Sequence, residues 1–337
     1  MSSFDVIVPC YRYGHFLREC VESVLSQSLK NVRVLIIDDA SPDNTAEVAV
    51  DLTTKDRRVT FVRHIRNKGH IATYNEGIEW VSADYMLLLS ADDYLLPGAL
   101  GRAADLMDAN PEVGLTFGNA IFVDERGDIS YTNTLCGSAY KEGSHVLTGL
   151  EFIQLSGGRN IVPTPTAAVR SELQKRLGGY RPELPHAGDM EMWLRLAAHG
   201  SVGVVSACQA VYRRHAENMS LHYTLKTWLP DLKQRKAAFD SFFQTCSYTL
   251  PSAERLHRKL FFLLSREAVG YASAAFNERK TEISEQLSDY AIELCPKIRR
   301  SLPWIKLSCK RCMGYRAWRV LQPLVACIRK IVGHAGA

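Results

Sequence analysis

At 337 residues, 46% hydrophobic and 23% charged, the chain is globular by composition and has room for one large domain or two smaller ones around a substantial core. The formal net charge of +5 is unevenly spread: ten Lys or Arg and no acidic residue lie from Lys297 onward, so 5 − 10 leaves about −5 for everything before it. The basic character is thus local to the tail and no nucleic-acid partner is expected.

In chain order, Asp5 to Pro9 is an apolar run that predicts a first buried strand, and Phe16, Leu17, Cys20, Val21, Val24 and Leu25 recur at helical spacing behind it. Val32 to Ile37 predicts a second strand ending on the paired acids Asp38 and Asp39, and Val59 to Arg63 a short third. A helix through Ala72, Asn75, Ile78 and Trp80 leads into Tyr85 to Leu89, a run without alternation that suits a central strand covered on both faces. Strand and helix alternate in the manner of a right-handed βαβ sheet. Neither a G-x-G-x-x-G after the first strand nor a G-x-x-x-x-G-K-[ST] occurs, so no Rossmann dinucleotide site or P-loop is expected.

The Tyr85 strand stops on Asp92 and Asp93. Ligands of open α/β sheets sit beyond the carboxyl ends of strands, and two adjacent hard oxygen donors there favour a divalent cation that keeps waters and shares phosphate oxygens. The plainer expectation is that one of the two caps the helix starting near Pro97. Beyond Asn110 the pattern loosens: a short helix at Leu147 to Leu155, the loop Gly157 to Asn160, an extended Val162 to Thr166, a helix at Glu172 to Leu177 stopped by glycines, a helix opened by Asp189, and strands from Val202 to Tyr212. After Leu221 strand signals vanish, and helices are expected at Thr224–Phe243, Ala253–Phe276 and Glu278–Leu294. The boundary is placed near 220, giving an α/β domain 1–220, with halves 1–110 and 111–220, and a helical region 221–337. No apolar run spans a bilayer and no secretory signal is seen. Nine cysteines lack a regular framework; Cys20, Cys208 and Cys327 read as buried thiols and Cys309-x-x-Cys312 as a chance pair, which favours the cytoplasm.

The run from Val6 to Ser220 resembles the family 2 glycosyltransferases of the GT-A fold, inverting enzymes that use nucleotide sugars, and the order of its motifs carries the resemblance more than any one of them. Asp5-Val6-Ile7-Val8-Pro9-Cys10-Tyr11-Arg12 is similar to the opening strand and nucleotide loop, with Arg12 where Asn is usual. Ile36 to Thr45 is similar to the paired-acid motif, and Asn67-Lys68-Gly69 through Asn75 to the segment that follows, with Tyr74 where Arg is common. Ser90-Ala91-Asp92-Asp93 resembles the metal motif with Ser for its first acid. Gly188-Asp189 through Leu196 resembles the catalytic segment, with Gly188 for the preceding acid, and Tyr212 to Ser220 resembles the closing segment.

The resemblance implies an α/β GT-A fold, a mostly parallel central sheet flanked by helices, with a C-terminal helical extension. It implies inverting transfer from a nucleoside diphosphate sugar, UDP- or dTDP-linked, to an acceptor hydroxyl in polysaccharide or lipid-linked glycan synthesis. Pro9, Tyr11, Asp39, Asn67, Asn75 and Asp92 are implied at the nucleotide, with Asp39 accepting from a base imide N–H. Asp93, Asp92 and His215 are implied at Mn2+ or Mg2+, Asp189 as general base with Glu191 as its rival, and Asn160 and Thr164 on the acceptor side. A catalytically degenerate nucleotide-sugar binder and a sugar nucleotidyltransferase are the alternatives. In the tail, Trp304, Ile305, Leu307, Met313, Trp318, Leu321, Leu324, Val325 and Ile328 interleave with the cations. That composition suits either peripheral attachment to an anionic inner leaflet or a helix packed on the protein with its basic face in water.

Overall fold

Seven residues, Phe4–Cys10, form β1, and all but Pro9 are buried. Such a strand needs cover on both faces. It lies between two parallel neighbours, β2 (Val32–Asp38) and β4 (Tyr85–Leu88), and β2 is followed outward by β3 (Val59–Arg63), also parallel. The crossovers are α1 (Gly14–Leu25), α2 (Thr45–Lys55) and α3 (His70–Trp80). Each buries one stripe, as Leu17, Cys20, Val21 and Val24 do on α1. The computed structural model describes residues 2–131, 143–219, 223 and 227–334, without the side chains of 131 and 321–334.

Beyond β4 the sheet turns mixed. After β5 (Tyr94–Leu95) and α4 (Ala99–Ala109) come β6 (Val113–Asp124), β7 (Ile129–Tyr131), β8 (His145–Leu147) and α5 (Gly149–Ser156). A 3-10 turn (Thr164–Thr166), β9 (Ala168–Arg170), α6 (Ser171–Leu177), α7 (Gly188–Ala197) and β10 (Ser201–Arg214) complete the order β3-β2-β1-β4-β9-β6-β10-β5, with β7 beside β6 and β8 beside β10. The short β9 runs antiparallel to both β4 and β6, so one sheet crosses both of the halves expected at 1–110 and 111–220. The expected strands over Val202 to Tyr212 are a single long β10, irregular near Val205 to Ala210, parallel to β6. Asp92 and Asp93 do not cap α4: its N-cap is Gly98, in the left-handed region at φ 78°, with no side-chain cap bond.

The chain divides into two units. The first comprises Met1–Met219 and Ala237–Ala253, the second Ser220–Lys236 and Glu254–Ala337. The expected break near 220 is thus followed by a return of 237–253 to the first unit, because Ala238 packs with Leu184 and Ala187, and Arg181 donates to Thr245 Oγ1 at 3.1 Å. The long helix that straddles this return is α8 (Leu229–Cys246); α9 (Ala253–Asn277), α10 (Thr281–Leu294) and α11 (Leu302–His334) follow. In the second unit Ser265 donates to the Ala291 carbonyl and Arg235 pairs with Asp231 and Glu267, so α9 and α10 are held by buried polar contacts as well as apolar ones. The expectations at 132–142, at Ser220 to Leu221, at 224–226 and for the side chains from Leu321 to the end, Cys327 included, lie outside the described residues.

Candidate functional site

The carboxyl ends of β1 and β2 open one crevice. Cys10 lies in register with Asp38, and the Asp39 N–H donates to the Cys10 carbonyl at 2.9 Å. Just past both strands, Arg12 (φ 66°) and Ala40 (φ 59°) take the left-handed conformation, and the Arg12 N–H reaches the Ser41 hydroxyl at 3.0 Å. Two non-glycine residues in that region, tied across one gap, mark a loop pair whose shape the surroundings impose. Gly14 is required where α1 begins, because a Cβ there would stand 2.8 Å from the Thr45 backbone nitrogen. Pro9 is half-buried at the crevice, and Tyr11 stands 39% exposed with the Arg12 guanidinium 5.2 Å from its ring centre.

Asp38 is fully buried: one oxygen accepts from the Ser41 N–H at 2.8 Å and the other lies 3.2 Å from Arg63 Nε. Asp39, nearly as buried, accepts at Oδ1 from the Lys68 N–H at 2.7 Å and lies 2.7 Å from His64 Nδ1; its Oδ2 accepts from the Gly69 N–H at 2.9 Å. A carboxylate has about four lone-pair sites, so Oδ2 retains capacity for one further donor. His64 was not singled out from sequence. Its position one residue past β3 was the available signal, and it bridges Asp39 to Glu76, whose Oε2 is 3.1 Å from His64 Nε2 and also takes Lys68 Nζ. Asn67 donates to the Asp39 carbonyl and accepts from the Gly69 N–H, which holds that turn in place. Asn75, expected at the nucleotide, donates to the Tyr180 carbonyl at 2.9 Å and accepts from the Tyr180 N–H at 2.7 Å.

Past β4 the chain turns sharply, the Asp93 N–H donating to the Ser90 carbonyl, and delivers both carboxylates against the end of β10. Asp93 accepts from the Arg213 N–H at 3.0 Å; burial and then the Asp92 charge hold its carboxyl well above the usual range. Asp92 Oδ2 lies 3.1 Å from His215 Nε2 and accepts from Asn218 at 3.3 Å. Its Oδ1 is buried without a hydrogen-bond partner. The Arg213 guanidinium donates to the Asp92 carbonyl, pairs with Glu19 and lies over the rings of Phe16 and Tyr94, so its charge supports the turn. Asp92 is thus the carboxylate that shares a corner with His215, with Asp93 beside it.

A second group forms at the start of α7. Asp189 lies in the first turn, but it is not the cap: Ala187 holds that position and makes no side-chain cap bond. Instead Asp189 accepts from the Thr164 hydroxyl at 2.9 Å and from the Tyr180 hydroxyl. Burial raises its carboxyl above the ordinary value of 3.8, against the pull of those two donors and of His70 and His186. Glu191, the rival, is fully buried with Arg181 at 2.9 Å on one oxygen and Arg195 at 2.9 Å on the other, so both oxygens are paired with guanidinium groups. Of the two acceptor-side expectations, Thr164 is at the carboxylate, whereas Asn160 is exposed and accepts from the Val162 N–H.

The two carboxylate groups share an intermediary. Tyr74 packs edge-on against His70 and Tyr180, each at 5.4 Å, and its phenol is pushed up by burial and by the charges of Asp189, Asp92 and Asp93. It therefore stays a neutral hydroxyl within the influence of both. His70 is lowered below its ordinary value of 6.5 by burial, which outweighs the opposing pull of its Nε2 hydrogen bond to the Pro185 carbonyl at 3.0 Å and of the Asp189 and Asp39 charges, so it is mostly neutral near pH 7.

Among the described residues no three His, Cys, Asp or Glu side chains are gathered about one point. A divalent ion still fits the Asp92 corner, because its Oδ1 is orphaned and the Asp92–Asp93 repulsion, against which the Arg213 charge pulls less strongly, favours added positive charge there. Oxygen and imidazole donors are those that Mg2+ and Mn2+ accept.

The sequence profile described as Glycosyl transferase family 2 matches residues 5–176. An uncharacterized glycosyltransferase of Methanocaldococcus jannaschii is 25% identical over 185 residues, covering 55% of this chain and 60% of its own. The GalNAc(5)-diNAcBac-PP-undecaprenol beta-1,3-glucosyltransferase of Campylobacter jejuni is 29% identical over 131 residues, 39% of this chain and 41% of its own. The chain therefore spans about half the length of these two curated relatives. In structure it is similar to S. aureus TarS 1-349 in complex with UDP-GlcNAc, at a TM-score of 0.63 and 17% identity over 86% of this chain and 79% of that one. It is also similar to the mannosyltransferase PcManGT of Pyrobaculum calidifontis in complex with GDP-Man and Mn2+, at 0.53 and 17% over 98% and 87%.

Proposed function

Since the chain belongs to glycosyl transferase family 2, we propose that it moves a sugar from a UDP- or dTDP-linked donor to an acceptor hydroxyl with inversion, using Asp189 as the base. The observation that carries this reading is a pair of buried carboxylate groups, Asp92 with its unpartnered Oδ1 beside Asp93, and Asp189 held by the Thr164 hydroxyl, whose charges all act on the buried Tyr74 phenol. Inverting transfer needs one group at the departing diphosphate and another at the incoming hydroxyl, on opposite sides of the anomeric carbon.

The nucleoside lies in the β1–β2 crevice. Tyr11 offers a ring to the base, and the spare lone pair of Asp39 Oδ2 accepts an imide N–H, which uracil and thymine present and cytosine lacks. TarS was crystallised with UDP-GlcNAc, which supports a uridine donor; PcManGT carried GDP-Man, and guanine also presents a ring N–H. Asp92 and His215, with Asp93 beside them, would hold a divalent ion, which when bound supplies Lewis-acid stabilisation of diphosphate charge. At the other end Thr164 and Tyr180 aim Asp189 at the acceptor. As the acceptor oxygen bonds to the anomeric carbon and the sugar–phosphate bond breaks, the hydroxyl proton passes to Asp189, a contribution of about 10²–10⁴-fold. Tyr74 and His70 border this space as neutral polar groups. The acceptor is a growing polysaccharide or lipid-linked glycan, a class to which the substrate in the Campylobacter enzyme's name belongs.

The test is a thermal-shift series with UDP, dTDP, GDP, CDP and ADP, with and without Mn2+, followed by turnover assays on sugars of the nucleotide that binds. A ligand at 100 times its Kd stabilises the folded state by about 2.7 kcal/mol. Metal-dependent stabilisation by UDP or dTDP and not CDP, with hydrolysis or transfer of the matching sugar, is expected. No shift with any nucleotide overturns the reading, and binding without turnover leaves the degenerate binder.

A further inference from the structure

Helix α11 presents the wrong face to water. Its inner side carries Leu307, which is buried, but also two cations. Lys310 donates to Ser273 at 2.6 Å and lies 4.6 Å from the Trp318 ring centre, and Arg311 donates to the hydroxyls of Ser284 and Ser288. Its outer side carries Leu302, Ile305, Cys309, Cys312 and Met313, all exposed, with Leu302 at 71% and Ile305 at 47%. Positions 302, 305, 309 and 313 follow the helical period, so they form one stripe about 100° wide. A helix stabilised only by packing on its own protein would turn that stripe inward and the cations outward. The order is reversed here, and the polar hydroxyl and amide partners of α9 and α10 fix it so.

The borders of the stripe say what covers it. Lys297, Arg299 and Arg300 precede it, Lys306 lies along its edge, and Arg316 and Arg319 follow; all are exposed. No acidic residue occurs from Lys297 onward. An apolar stripe in a cationic rim matches the boundary of a bilayer with anionic headgroups, where aliphatic side chains enter the acyl edge and Lys and Arg meet the phosphates. Gly314, at φ 78°, breaks the helix just after Met313, so the stripe ends there. From this inversion and its charge we propose that residues 297–313 form a docking surface for anionic phospholipid membranes. The contact is superficial, since no described helix is long and apolar enough to cross a bilayer. It stands on this segment alone, whatever the donor or acceptor.

The experiment is sedimentation of the full chain with vesicles of phosphatidylcholine alone and of phosphatidylcholine with phosphatidylglycerol, at low and high salt. Binding to the anionic vesicles only, weakened by salt, is expected. Leu302→Asp with Ile305→Asp should lower the partition coefficient at least tenfold, and so should Lys297→Gln, Arg299→Gln, Arg300→Gln and Lys306→Gln together. All six side chains are exposed, so the melting temperature should not move. Failure of the full chain to sediment with anionic vesicles overturns the proposal. Unchanged binding by the double Asp variant also overturns it, leaving adsorption by charge elsewhere. If instead the chain is a dimer in solution that the double Asp variant dissolves, the stripe is a contact between copies and the membrane is dismissed.

Discussion

Asp189 combines two consequences of its position that ordinary carboxylates keep apart. Burial raises it, so in the fold it holds its proton at pH values where the unfolded chain has lost it. Its effect on stability is therefore best below the ordinary value of 3.8 and worsens as pH climbs to the folded value. Asp189→Asn should cost turnover by about 10²–10⁴-fold while donor affinity stays within a few-fold. By urea unfolding at pH 7 the variant should be at least as stable as the wild type. A marked loss of stability would mean that the carboxylate is structural. Thr164 gives the second residue-scale prediction. Its hydroxyl donates to the charged form of Asp189, so Thr164→Val should raise the carboxyl further and move the acid limb of the kcat/KM profile to higher pH. An unmoved limb with a lower plateau would deny that Asp189 sets it.

Among the elements, α7 has the most to hold in place, since its first turn carries Asp189 and the Glu191 ion pairs. Those pairs fix the helix to the loop bearing Tyr180: Arg195 donates to the carbonyls of Leu177 and Gly179, and Asn75 of α3 clamps Tyr180 itself. On its other side α7 meets α5 at Gly149, where a Cβ would lie 1.6 Å from the Ala197 carbonyl oxygen. Backbone cannot yield there as a side chain would, so Gly149→Ala should cost about 1–3 kcal/mol of stability in denaturant titration. It should also lower kcat more than donor affinity, because the displaced element bears the base and not the nucleotide crevice. A variant as stable as the wild type would show that α5 moves freely on α7.

The whole chain departs from its expected division at one place. Residues 237–253 rejoin the first unit, with Ala238, Phe242 and Cys246 buried. A chain ending at Met219 should therefore lose a cooperative melting transition, whereas one ending at Ala253 should keep it; equal melting of the two would make the return dispensable. The GT-A fold itself was legible in the sequence, because a buried parallel strand is a short uninterrupted apolar run and because ligands gather at strand ends, where Asp39, Asp92 and Asp93 were picked out. Helical periodicity likewise marked α1, α3 and α7. Their spacing could not reveal which polar atoms were already taken, since that depends on contacts between residues far apart in the chain. Asn75 and Tyr180 are 105 positions apart, Asp92 and His215 are 123, and the hydroxyl that meets Asp189 comes from Thr164 across a loop. The sequence by itself determined the strand order's raw material, the carboxylates and the basic tail. Only the tertiary structure decided that Glu191 is spent on two arginines, that Asn75 holds a loop, and that α11 turns Lys310 inward and Leu302 out, because each depends on which partner burial supplies.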